Sequence, residues 1–158
     1  MGRLRVHFSG GGSVARTMYT VAVTSTFEAT HALRMYGGKT EPVHGHTWSV
    51  RACFASHRLD EIGVVVDFTC VQDELDRIAQ GLAGGCLNDW PELGGGNPSA
   101  ERLAAAIFRV LSADPRLSPT LRGVYVTEAP GCEAGYAPGG FASGLMGGPI
   151  IDDKALER

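Results

Sequence analysis

From Tyr19 onward the chain alternates. In YTVAVTSTFEATHAL, Val21, Val23, Phe27, Ala29 and His31 fall on one parity, while threonine and glutamate mostly occupy the other. A period of two, rich in β-branched residues, predicts a strand with one face buried. HTWSVRACFA repeats the pattern, with His46, Trp48, Val50, Ala52 and Phe54 on a single face. A turn is expected around Asp60 to Gly63, before an apolar run of three valines that ends at Asp67-Phe68. There the period changes. Val71, Leu75, Ile78 and Leu82 recur at helical spacing, with Asp73, Glu74, Asp76 and Arg77 between them. Asp67 suits the cap of that helix and Gly84-Gly85 its end.

A second helix is signalled by NPSAERLAAAIFRVLSAD. Asn97 reads as its N-cap, Pro98 as its first helical position, and Glu101 as a complement to the helix dipole. Leu103, Ile107, Val110 and Leu111 form its apolar face. Beyond Pro115 and Pro119, LRGVYVTEA and CEAGYAP predict two further short strands joined at Pro130-Gly131. The order β-β-α-α-β-β implies an α+β fold, a four-stranded antiparallel sheet with two helices on one face. There is no internal repeat.

Composition narrows the class of protein. The chain has 158 residues, 44% hydrophobic and 20% charged, which suits one domain with a buried core. SGGGS at 9–13 has the composition of a flexible linker. A leader over 1–17, a working domain over 18–138 and a Gly-rich tail over 139–158 are therefore expected. A formal net charge of −3 with no basic run argues against nucleic-acid and membrane-surface partners. No apolar run approaches membrane length, and the first residues lack the continuous apolar stretch of a signal peptide. Cys53, Cys70, Cys86 and Cys132 lie far apart with no C-x-x-C, so neither a zinc knuckle nor a disulfide framework is indicated. A reducing cytoplasm is the expected compartment.

The histidines change the picture most. A strand rises about 3.3 Å per residue, so His44 and His46 lie about 6.6 Å apart along one face and can converge on one ion. His31 ends the preceding strand on the same parity, and pairing of the two strands brings it alongside. Three imidazoles with an open fourth position describe a catalytic zinc site, where the metal polarises a substrate oxygen. The competing reading is three polar residues at strand ends. Three of the five histidines between 31 and 46, all of compatible parity, favour the ligand reading. His7 and His57 have no such company and read as surface residues. Glu128 could accept two parallel N–H bonds from a guanidine-like edge, or could be an exposed strand glutamate.

Taken together, FEATHAL with His31, HGHTW with His44 and His46, GVVVDF, LND at 87–89, NPSAE at 97–101 and VTEAPGCEAGY with Glu128 resemble one family. It is the 6-pyruvoyl- and 6-carboxy-tetrahydropterin synthase group of zinc-dependent pterin enzymes. The resemblance spans roughly 27–136 and implies the tunnelling fold, with sheets joined between subunits into a barrel, usually as a dimer of trimers. It implies zinc on His31, His44 and His46, and Glu128 anchoring the amino-pyrimidine edge of a pterin. Family reactions rework the C6 side chain of a dihydropterin while zinc holds its hydroxyls and a protein base takes a proton.

Two departures qualify that resemblance. Thr40 stands where the family keeps a catalytic cysteine, and a threonine hydroxyl is too weak an acid to replace a thiolate unaided. Ala83 and Gly84 stand where an Asp-His pair precedes LN. Beside Thr40, Glu41 gives E-x-x-H-G-H, which looks like the subgroup that cleaves dihydroneopterin to 6-hydroxymethyl-dihydropterin. Glu41 is the candidate base, its alternative a solvated loop glutamate. Three functions follow: a synthase-type lyase, a dihydroneopterin-cleaving variant, or a pterin binder without turnover. Cys86 and Cys132 lie in the matched segments, either near the site or as small apolar residues.

Overall fold

In the computed structural model, which describes residues 17–139, strand β1 (Tyr19–His31) pairs antiparallel with β2 (His44–Ser56) along their whole length. The register runs from Tyr19 opposite Ser56 to His31 opposite His44. Helices α1 (Phe68–Leu82) and α2 (Ala100–Ser112) follow, then β3 (Leu121–Ala129) and β4 (Cys132–Tyr136). The sheet order is β1-β2-β3-β4, antiparallel throughout, with α1 packed on β1 and α2 on β3 and β4. The expected order and class hold. The leader and tail expected at 1–17 and 139–158, and His7 with them, lie outside the described residues except for Thr17 and Gly139.

Strand parity sorts the side chains as the sequence implies. Phe27, Ala29, Trp48, Val50, Ala52, Phe54, Val124 and Val126 bury their side chains against Val71, Leu75, Leu103, Ile107 and Leu111 of the helices. Burying each large side chain fully is worth about 1.5–3 kcal/mol, so this one cluster dominates the stability of the domain. Asp67 caps α1 as expected, its side chain accepting from the Thr69 amide at 2.8 Å. Pro130-Gly131 closes the β3–β4 hairpin, with Gly131 at φ +81°, a conformation glycine adopts without a Cβ penalty.

The start of α2 differs from expectation. Ser99, not Asn97, is the N-cap, accepting from the Arg102 amide at 3.4 Å, and the helix begins at Ala100. Pro98 therefore precedes the helix instead of opening it. The physical reason is competition: the Asn97 amide is taken by the backbone of Arg34, 63 residues away. Three single-turn 3-10 helices, Tyr36–Gly38, Leu87–Asp89 and Pro91–Leu93, fill connections whose patterns carry no periodic signal.

After α1 the chain turns through Gly84, at φ +71°, and runs beside β1. The Gly84 amide donates to the Glu28 carbonyl at 2.7 Å, the Thr30 amide donates to the Gly85 carbonyl at 2.9 Å, and Thr30 bridges Cys86 in parallel. These contacts cover the edge of β1 at its histidine end only.

Candidate metal centre

Where the inward row of β1 and β2 passes Ala29 and Trp48, it changes from hydrocarbon to imidazole. The ring centroids of His31, His44 and His46 form a triangle with sides of 4.6, 4.8 and 5.1 Å. Trp48 forms its floor, 4.9 Å from the His31 centroid and 5.5 Å from that of His46, edge-on to both. Its indole N–H donates to the Ala29 carbonyl at 3.2 Å, which fixes the floor. His31 is fully buried, whereas His44 and His46 retain some exposure on the open side.

Hydrogen bonding selects the tautomers. His31 Nδ1 lies 3.0 Å from the Pro98 carbonyl, and His44 Nδ1 lies 2.9 Å from the Pro42 carbonyl. A carbonyl only accepts, so both Nδ1 atoms carry hydrogen and each Nε2 presents its lone pair. A carbonyl holding the far nitrogen of the ring is the usual arrangement for metal-binding histidines. Among the described residues, His31 Nε2 and His46 Nε2 are buried with no hydrogen-bond partner. Facing them is the Glu128 carboxylate, with Oε1 3.1 Å from His31 Nε2 and 3.3 Å from His46 Nε2. The Nε2 lone pair of His31, aimed at an anion, is repelled unless positive charge sits between the two. One ligand atom from each of His31, His44, His46 and Glu128 lies within 4.8 Å of the others. Nitrogen donors at this spacing, with a carboxylate beside them, fit zinc.

The other sequence candidates fall differently. Glu41 is half-buried at the rim, Oε1 accepting from the Leu33 amide at 2.8 Å and standing 4.0 Å from His44 Nδ1. Its own amide donates to the Leu33 carbonyl at 3.0 Å. Thr40 is exposed in a bridge with Arg34. Ala83 is the C-cap of α1, and Gly84 makes the turn onto β1, so neither position offers acid–base chemistry. Cys86 lies half-buried with Sγ 3.4 Å from Asn88 Oδ1, and Cys132 is exposed opposite Ala129. Neither belongs to the ligand group. His57 is exposed and hydrogen-bonds the Thr17 carbonyl at 2.8 Å.

Two asparagines hold backbone that no local pattern assigns to them, one of them the Asn97 expected as a helix cap. Asn88 accepts from the Ala32 amide at 2.9 Å and donates to the Ala32 carbonyl at 2.8 Å. Asn97 does the same for Arg34, at 2.8 and 2.9 Å. Each side-chain amide replaces a missing strand partner where β1 has left the sheet. LND and NPSAE contain these residues, but nothing local announces partners more than 50 positions away.

Over most of its length the chain is similar to proteins of one family. A sequence model described as 6-pyruvoyl tetrahydropterin synthase matches residues 20–138. A 6-carboxy-5,6,7,8-tetrahydropterin synthase of Synechocystis is 35% identical over 116 residues, covering 70% of this chain and 87% of its own. The fold matches Caenorhabditis elegans 6-pyruvoyl tetrahydropterin synthase with a TM-score of 0.66 at 17% identity, over 77% of this chain and 96% of that one. A Plasmodium vivax 6-pyruvoyltetrahydropterin synthase, solved with a catalytic glutamate replaced by alanine, matches with a TM-score of 0.64 at 17% identity. That match covers 76% of this chain and 97% of the other.

Proposed function

Because this chain belongs to the 6-pyruvoyl tetrahydropterin synthase family, we propose that it is a zinc-dependent lyase of the 6-carboxy- or 6-pyruvoyl-tetrahydropterin synthase type. Its substrate on this reading is a dihydroneopterin or its triphosphate, altered at the C6 side chain. The observation that carries the reading is the convergence of His31, His44, His46 and Glu128, with two buried Nε2 atoms lacking partners. Bound zinc supplies Lewis acidity, drawing electron density from a substrate oxygen and making an adjacent C–H or O–H more acidic.

The chain's own residues do the remaining work. Pro98 and Pro42 hold two imidazoles in the tautomer that presents Nε2. Glu128, whose carboxylate stands at the imidazoles, accepts N–H donors from the pterin's amino-pyrimidine edge on this reading. Glu41 is the candidate base: Oε1 is held by the Leu33 amide, and Oε2 makes no hydrogen bond among the described residues. A carboxylate fixed through one oxygen keeps the other for a proton.

A second reading, cleavage of dihydroneopterin to 6-hydroxymethyl-dihydropterin, is favoured by Glu41 standing beside Thr40. The catalytic glutamate of the Plasmodium vivax relative lends it support. Incubating the zinc-loaded protein with dihydroneopterin and with its triphosphate, then identifying products, tests both readings. A 6-carboxy or 6-pyruvoyl product supports the first, and 6-hydroxymethyl-dihydropterin the second. Bound but unchanged pterin leaves a binding protein without turnover. Glu41→Gln preserves an acceptor for Leu33, so zinc content should hold while turnover falls by about 10²–10⁴-fold, the usual contribution of a positioned base. Parent-like turnover in that variant removes Glu41 from the role.

Assembly belongs to the same proposal. β1 at its Tyr19 end and β4 along its outer side are unpaired edges among the described residues. Edges of that length favour pairing with further copies, in support of a homohexamer built as a dimer of trimers. Light scattering of the purified protein checks it. No helix among the described residues is long and apolar enough to cross a membrane, and the four cysteines are unpaired. Unpaired cysteines suit a reducing compartment, in keeping with action in the cytoplasm.

A further inference from the structure

His31 is the ligand with the least freedom, and its surroundings show what removes that freedom. Its Nδ1–H is held by the Pro98 carbonyl at 3.0 Å, but Pro98 lies in the connection between Leu93 and α2, outside any sheet or helix. That connection needs an anchor of its own. Arg102 donates to the Leu93 carbonyl at 3.1 Å, and Arg34 donates to the Gly95 carbonyl at 2.7 Å. The link nearest to Pro98 along the chain is Asn97, the residue immediately before it. Its side chain grips both the amide and the carbonyl of Arg34, three residues after His31.

His31, Arg34, Asn97 and Pro98 thus form a closed loop of contacts. One path from His31 to Pro98 runs through the chain to Arg34 and across the Asn97 amide. The other is the imidazole hydrogen bond itself. Displacing Asn97 moves the carbonyl that orients the ring.

We infer that Asn97 is a positioning residue of the metal centre, acting on His31 through the Pro98 carbonyl. This rests on the zinc reading given above. The chemistry requires an amide and no other group. The oxygen must accept from Arg34 N–H while the nitrogen donates to Arg34 C=O. Asn97→Asp keeps size and shape but turns a carboxylate oxygen toward the Arg34 carbonyl, so one hydrogen bond becomes a repulsion.

The test measures zinc affinity by competition with a chromophoric chelator, together with the visible spectrum of the cobalt-substituted protein. Wild type, Asn97→Asp, the milder Asn97→Ser, and Leu111→Ala are compared. Leu111 is buried near the far end of α2 and reports general destabilisation. Loss of a hydrogen-bond partner behind a metal ligand weakens metal binding by about 10–100-fold, so that loss and an altered cobalt spectrum are expected for Asn97→Asp, with a smaller shift for Asn97→Ser. Leu111→Ala should leave both unchanged.

Affinity in the Asn97 variants equal to wild type, or weakened no more than in Leu111→Ala, overturns the inference while the metal reading stands. A wild-type chain that takes up no zinc overturns the metal reading and this inference with it. Should neither Asn97 variant fold, nitrogen-15 spectra of the zinc-loaded wild type decide. A slowly exchanging proton on His31 Nδ1 supports the inference, and a fast-exchanging or metal-bound Nδ1 overturns it.

Discussion

At Phe54 and at His46, the same alternation points a side chain to the same face of the same two-stranded ribbon. Toward Phe54 the row is hydrocarbon, roofed by helices and closed. Toward His46 it is imidazole, roofed only by connections that bring single carbonyls and side-chain amides to particular atoms. The backbone rule is identical at the two ends, and only the covering differs. Helices cover broadly and need apolar neighbours. Loops leave one side open and can address polar atoms singly, as a reactive centre requires.

Substitutions that divide the two ends sharpen this comparison. The largest effect is expected from His46→Ala: zinc per chain, measured by elemental analysis, should fall from about one to near zero, since a three-imidazole site loses a ligand. The urea midpoint without metal should barely move, because His46 is partly exposed. A substantial loss of metal-free stability would mean that the histidine end also carries the fold. Phe54→Ala should do the reverse, costing about 3–5 kcal/mol in urea unfolding while the folded protein still takes up zinc. Loss of zinc there would show that the two ends are coupled. Asp67→Ala, remote from both, should cost about 1 kcal/mol through loss of the helix cap, with zinc binding unchanged. A drop beyond that range would give the cap a role in holding the valine run before it.

Much of the hydrocarbon end was legible in the sequence, because parity and helical spacing are local signals. Val71, Leu75, Ile78 and Leu82 are buried as their spacing implies, and Asp67 caps the helix they build. The histidine end was legible in part. Parity placed His31, His44 and His46 on one face, and strand register brought them together. What holds them was not legible. Asn97 carries a perfectly good local cap signal, and a partner in another segment displaced it. Asn88 and Pro98 had no local signal for their contacts at all. Glu41 beside the histidines reads naturally as chemistry, yet it also pins the Leu33 amide, a duty visible only in three dimensions. Local patterns announce elements, whereas the supports of a site come from distant residues meeting.

The Asn97-Pro98 junction also bears on how the protein ages. Asparagine converts slowly to aspartate when the next residue's backbone nitrogen attacks the side-chain carbonyl and ammonia leaves. Proline carries no N–H at that position, so the usual cyclisation is closed at Asn97. At Asn88 the following nitrogen, that of Asp89, is already committed to the Cys86 carbonyl at 3.0 Å. At the two amides that replace missing strand partners, the usual route to loss of ammonia is therefore blocked or disfavoured. The amides that hold the chain beside His31 are thus poorly set up for this route of chemical ageing.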